Sequence, residues 1–240
     1  MKKLLFIPAM LFSVCFSFGQ KQFSGWLASF NTFKTGKHTS IHSDIQLRST
    51  DKLEHVQTLL LRVGLNLHLN KKFIVTAGYA YIHNQRKAGN LTGYVGEHRI
   101  WQQAVYNHKI ERLIVAHRFR LEERFIPKIE VENNELNKTG NMYAGRFRYF
   151  VRNIFPLRKY KTVFAKGAFA TLQNEVFLNV GNKNAVNGKA FDQNRLLLAA
   201  GYRLSSSLDM EAGYMNQYIQ GRADAFTNNH IVQLAMYLRL

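Results

Sequence analysis

Arg118, Arg120, Glu122 and Arg124 occupy alternate positions, so an extended chain presents all four on one face. A second stripe, Arg146, Arg148 and Arg152, follows in the next strand-like stretch, and Glu97, Arg99 and Gln103 come one stretch earlier. Arg62, Glu175, Arg195, Arg203, Glu211 and Gln217 keep the same polar phase in their own segments. A guanidinium stays protonated and offers carboxylates a planar fork, so such stripes can interlock as an ion-pair network replacing an apolar core. Ten arginines of this set face four glutamates. Fixed positive charge left over would draw anions. The set is therefore expected to form a charged lumen cluster, either purely structural or lining a narrow pore or binding site for small anionic solutes.

Other chemistry has thinner support. Nine histidines are scattered along the chain. His42 shares a strand face with Asp44 and His83 lies near a rim, but no nucleophile motif, phosphate loop or metal-ligand spacing accompanies them. One cysteine excludes a disulfide scaffold and any cysteine-based zinc site. No catalytic residue, metal ligand or cofactor is assigned. An outer-membrane enzyme acting on lipid or lipopolysaccharide is kept as an alternative.

The elements that must carry these stripes are strands. Leu113, Val115, Phe119, Leu121 and Phe125 oppose Arg118, Arg120, Glu122 and Arg124, with His117 interrupting the apolar side. Leu59 to Leu69 and Val232 to Leu240 alternate in the same way, and no segment sustains a 3.6-residue apolar stripe. Strands are predicted over 22–34, 38–50, 54–69, 72–86, 96–108, 111–126, 142–156, 161–181, 190–204, 207–220 and 228–240. Tight turns near 34–37, 70–71, 108–110, 156–160 and 205–207 alternate with longer polar connections at 87–95, 127–141, 182–189 and 221–227. That sorting suits an outer-membrane barrel, with short turns in the periplasm and long loops outside. Eleven segments conflict with the even number that brings both termini to the periplasm. The expectation is a closed antiparallel transmembrane β-barrel of about ten strands over 38–240, with twelve as the alternative. Residues 20–37 would then be a lumen segment or an extra strand.

Residues 1–19, with Lys2 and Lys3 before the apolar run Leu4–Phe16 and small residues at Ser17 and Gly19, are expected to be a signal peptide. Cleavage near Gly19 would lower the formal charge from +18 to +16 and remove Cys15. With 46% hydrophobic residues the chain is not disordered, yet beyond residue 20 no run is long enough for a membrane-spanning helix. Alternation alone cannot say which face meets lipid. Export, a C-terminal strand apolar at alternate positions, and aromatics suited to interfacial girdles (Tyr79, Tyr81, Trp101, Tyr106, Tyr143, Tyr149, Tyr202, Tyr214 and Tyr218) favour the membrane reading. A soluble periplasmic lipocalin-like carrier is the other alternative.

The stretches Glu97–Gln103, Arg118–Phe125, Arg146–Tyr149, Asn174–Phe177, Phe191–Arg195 and Gly213–Tyr218, taken in order, resemble a bacterial family. It is the family known as domain of unknown function 2490, presumed outer-membrane β-barrels, and the likeness runs from about Trp26 to Leu240. The resemblance implies a barrel in the outer membrane of a Gram-negative bacterium and brings no established activity. The partners expected are outer-membrane lipids and a small anionic solute; nucleic acid is not expected despite the charge, and the oligomeric state is left open.

Overall fold

Each alternating stretch becomes a strand in the computed structural model, which describes residues 19–160 and 163–240. The strands are β1 Gly19–Lys34, β2 Thr39–Ser49, β3 Val56–His68, β4 Phe73–Ala88, β5 Leu91–Ile110 and β6 Leu113–Glu132. They continue with β7 Glu135–Pro156, β8 Gly167–Val180, β9 Phe191–Ser205, β10 Leu208–Gln220 and β11 Phe226–Arg239. Sequence neighbours pair antiparallel all round, and β11 closes the barrel on β1 in parallel, from Gly19 opposite Phe226 to Thr32 opposite Arg239. The expected signal peptide lies, as far as residue 18, outside the described residues.

The two faces of each strand go to opposite sides of this wall. On β3, Leu60 and Arg62 are buried while Leu61, Val63, Leu65 and Leu67 are exposed, Leu65 to 59%. Which side is the inside follows from contacts between strands that are not neighbours. Arg62 of β3 reaches Glu122 of β6, and Arg152 of β7 reaches Glu211 of β10. Across a closed sheet such side chains meet only through the interior. Leucines therefore point out and arginines in, the inverse of a water-soluble barrel.

The barrel has eleven strands, neither ten nor twelve, and residues 22–34 belong to its wall. β1 has the same two-faced pattern as the others, with Ser24 and Trp26 buried and Phe23 and Leu27 exposed. A strand threaded through the lumen would leave two rows of backbone groups to be satisfied elsewhere; between β2 and β11 both edges are paired. Its start is also clipped from above, where the Phe23 amide donates to Asp51 in the β2–β3 connection (2.7 Å). An odd number in an up-and-down meander makes the first and last strands run in the same direction. Closure must then be parallel, and the two ends of the described barrel lie at opposite rims. The expectation of an even number presupposed an antiparallel seam.

The polar stretches 87–95 and 127–141 are hairpin, not loop. The β4–β5 ladder continues to Ala88 opposite Leu91, and β6–β7 to Glu132 opposite Glu135. Two-residue turns close them, with Gly89 and the Asn133–Asn134 pair at the positive φ such turns require. β5, β6 and β7 run to 20, 20 and 22 residues. At ~3.3 Å per residue and a ~45° tilt, each rises about 45 Å, beyond a hydrocarbon layer of ~30 Å. Toward the ends of these hairpins residues on both faces are exposed, so the alternation that marks a strand disappears from the sequence. At the other rim, the turn expected at 156–160 is longer, and the strand expected from 161 begins at Gly167; residues 161–162 lie outside the described set.

Most expected girdle aromatics face outward, Tyr79, Tyr143, Tyr202 and Tyr214 being exposed. Trp101 does not. It is fully buried inside, over Gly64 and Gly78, which pair across β3 and β4. A Cβ at either glycine would come within 2.7 Å of the indole, so only glycine leaves room for it. His117 breaks the apolar alternation for a reason visible outside the wall. It stacks on His108 at 5.3 Å and bonds the Tyr149 hydroxyl (2.9 Å), part of an aromatic cluster at the short-turn rim.

Candidate functional site in the barrel interior

The interior is organised around Glu122 of β6. One carboxylate oxygen accepts from Arg146 (2.5 Å) and the other from Arg148 (2.5 Å), both on β7. Arg62, Arg99 and Arg120 stand at 3.7–3.9 Å. Glu97 accepts from Arg99 (2.6 Å) and Arg124 (2.8 Å), and Glu175 from Arg118 (2.7 Å) and Arg148 (2.9 Å). Glu211 takes Arg152 (2.5 Å) with Thr171 (2.8 Å), while Gln103 accepts a bidentate pair from Arg120 (3.0 and 2.6 Å). Removing several charges from water costs several kcal/mol per ion, which these charge-assisted hydrogen bonds offset, although Arg62 Nε, Arg118 Nε and Arg120 Nη1 have no hydrogen-bond partner among the described residues.

The sequence-predicted set thus comes together around these carboxylates, except that Arg195 and Gln217 meet at Gln193 and Arg203 stands apart. Arg203 pairs separately, with Asp209 near the β9–β10 turn (2.7 and 2.8 Å), where Arg239 joins it (2.8 Å). Three interior carboxylates were missed: Asp209; Asp44, which pairs with Arg62; and Asp192, which accepts from Arg146 (3.0 Å). Also missed were aromatic rings interleaved with the guanidinium groups. Arg120 lies 4.7 Å from the centroid of Trp101, Arg148 4.4 Å from Phe177 and Arg118 4.3 Å from Phe150. On their strands these rings share the phase of the charged residues, and that was the signal to read. His42 faces inward, 3.7 Å from Asp44, whereas His83 stacks outside on Tyr94; the two are not parts of one site.

Two arginines stand apart from this compensation. Among the described residues, no carboxylate lies within ion-pair distance of Arg48 or Arg195. Arg48 donates to the Gln46 amide oxygen (2.7 Å) and Arg195 to that of Gln193 (3.2 Å). Both lie against the indole of Trp26, at 4.1 and 4.9 Å from its centroid. Both are only half-buried, unlike the arginines around Glu122.

They also line both of two neighbouring cavities. A cavity of about 370 Å³ lies toward the short-turn rim, reaching Asn107 and Arg239, and another of about 220 Å³ toward the tall-hairpin rim, reaching Gln22, Gln57 and Asn84. The residues common to both are Trp26, Arg48, Arg62, Arg148 and Arg195. Arg48 and Trp26 were absent from the sequence-derived site. Arg48 is in phase with Asp44 on β2, so alternation could have found it; Trp26 was lost with the strand that carries it.

A solved NanC porin structure in a rhombohedral crystal form aligns with a TM-score of 0.47 at 11% identity, over 90% of this chain and 98% of that one. An uncharacterized protein of Methylorubrum extorquens is 22% identical over 200 residues, 82% of this chain and 79% of the relative. The family model described as Protein of unknown function (DUF2490) matches residues 23–228, from inside β1 to the start of β11, a stretch that includes Trp26, Arg48, Arg195 and the surroundings of Glu122. The chain belongs to that family.

Proposed function

We propose that this protein is an outer-membrane barrel whose arginine-rich lumen admits small anionic solutes through a constriction at Trp26, Arg48 and Arg195. The observation that carries this reading is the pair of half-buried guanidinium groups without a carboxylate partner where the two cavities meet. A purely structural network would neutralise its cations, as Glu122 does. Charge left unpaired at a narrow point raises the local concentration of anions and repels cations. The continuous outward band of leucine, valine and phenylalanine supports a lipid surround, since an apolar surface of that extent is not kept in water.

Planar-bilayer recording tests the pore. Under a potassium chloride gradient the reversal potential is expected to report anion preference, and Arg48→Gln with Arg195→Gln to bring it close to neutral. Absence of current at every salt concentration would sink the reading. The location has its own test: recovery in the outer-membrane fraction with heat-modifiable migration. There, Leu65→Arg on the outer face should cost about 2–4 kcal/mol of stability in the bilayer. A water-exposed leucine would tolerate that change.

A further inference from the structure

The two cavities are chemically unlike, and the difference bears on which anion is held. Resting on the anion reading above, we propose that the cavity toward the short-turn rim is a binding site for organic monocarboxylates with an aromatic or branched aliphatic body. The carboxylate would take Arg48 and Arg195, and the body would lie among Phe30, Phe150, Tyr237, Val105 and Met215.

Among the described residues, the smaller cavity has no aromatic ring besides Trp26; its wall is mostly Gln22, Gln57, Thr58, Asn84, Gln217 and Asn229 around arginines. Such a vestibule suits a hydrated ion. The larger cavity adds three rings to Trp26, with Phe30 stacked on Tyr237 at 5.0 Å and Phe150 beneath Arg118 at 4.3 Å. Bare chloride or phosphate gains nothing from these surfaces. A phenyl or cyclohexyl group gains the free energy of leaving water. About 150 Å³ suffices to hold a benzene ring, so 370 Å³ takes a ring with its carboxylate and some water. The donors that a carboxylate needs are present as well. The Arg48 Nε–H has no partner, and its Nη2 and that of Arg195 are held only by neutral amides, which a carboxylate would outcompete.

The test is calorimetric titration of the detergent-solubilised barrel with benzoate, cyclohexanecarboxylate, acetate and benzyl alcohol. Benzoate and cyclohexanecarboxylate are expected to bind roughly ten- to a hundredfold more tightly than acetate, the equivalent of burying one ring. Benzyl alcohol should bind at least tenfold more weakly than benzoate. Phe150→Ala should shrink the benzoate-to-acetate ratio severalfold, and Arg48→Gln with Arg195→Gln should abolish binding of both carboxylates together with the anion preference. Heat-modifiable migration checks that each variant is folded; Phe30→Ala replaces Phe150→Ala if the latter fails. Equal affinity for acetate and benzoate in an anion-selective channel would overturn this inference and leave the anion reading standing. Benzyl alcohol binding as well as benzoate would overturn it too, by showing a merely apolar pocket. Benzoate preference in a protein that passes no current would uphold the site and remove the pore.

Discussion

Arg148 and Arg48 are both guanidinium groups inside the same barrel, and both line the two cavities. Arg148 is saturated, with Glu122 and Glu175 on its nitrogens and the Phe177 ring against its face. Arg48 has one neutral amide and one indole. The contrast extends to their regions. On the β5–β7 side, carboxylates sit among the arginines and every charge supports another. Around Trp26, where Arg48 and Arg195 meet, aromatic and amide groups border positive charge without cancelling it, while Asp44 and Asp192 on the same strands are engaged by Arg62 and Arg146. One region spends its electrostatics on holding the fold; the other leaves positive charge uncompensated, which is what the proposed anion site rests on.

The sharpest way to break this contrast is Glu122→Gln. Five arginines would lose their common counter-charge, and removal of one partner from a buried cluster costs about 3–5 kcal/mol. Urea unfolding followed by gel mobility should show this loss. Adding Arg148→Gln to that variant is expected to recover part of it, a coupling of about 1–3 kcal/mol, because the second change removes one positive charge from a cluster that has lost its central negative one, while Glu175 keeps Arg118. Strict additivity would mean that the two do not act as a unit. Gly78→Val probes the fit of the Trp101 floor. Overpacking there is expected to cost about 1–3 kcal/mol, with the reversal potential unchanged if the constriction is independent of that wall. The smallest effect on stability belongs to Arg48→Gln, within about 1 kcal/mol of the parent because no ion pair is lost. Its effect on selectivity should nevertheless be the largest of the four, and the opposite order would erase the distinction between the regions.

Alternation gave the all-β class, and the phase of Arg118, Arg120, Glu122 and Arg124 placed them on one face together with Arg146 and Arg148. These are local properties, since a period of two is written in consecutive residues. The same reasoning failed at 87–95 and 127–141, where strands rise past the apolar band and their two faces become equally polar. At 22–34 the strand itself was legible, and it was the rule about parity that set it apart from the barrel wall to which it belongs.

What the sequence by itself determined is which residues share a face and that the chain is built of strands, because side-chain direction in an extended backbone is fixed residue by residue. Only the tertiary structure decided that the barrel closes on a parallel seam, that Trp101 rests inside over Gly64 and Gly78, and that Arg48 and Arg195 meet at Trp26. Those outcomes depend on which strands become neighbours across the ring, and on how far each carboxylate reaches through the interior. Arg48 and Arg148 have the same side chain on the same kind of strand; the three-dimensional placement of Glu122 and Glu175 left one neutralised and the other not.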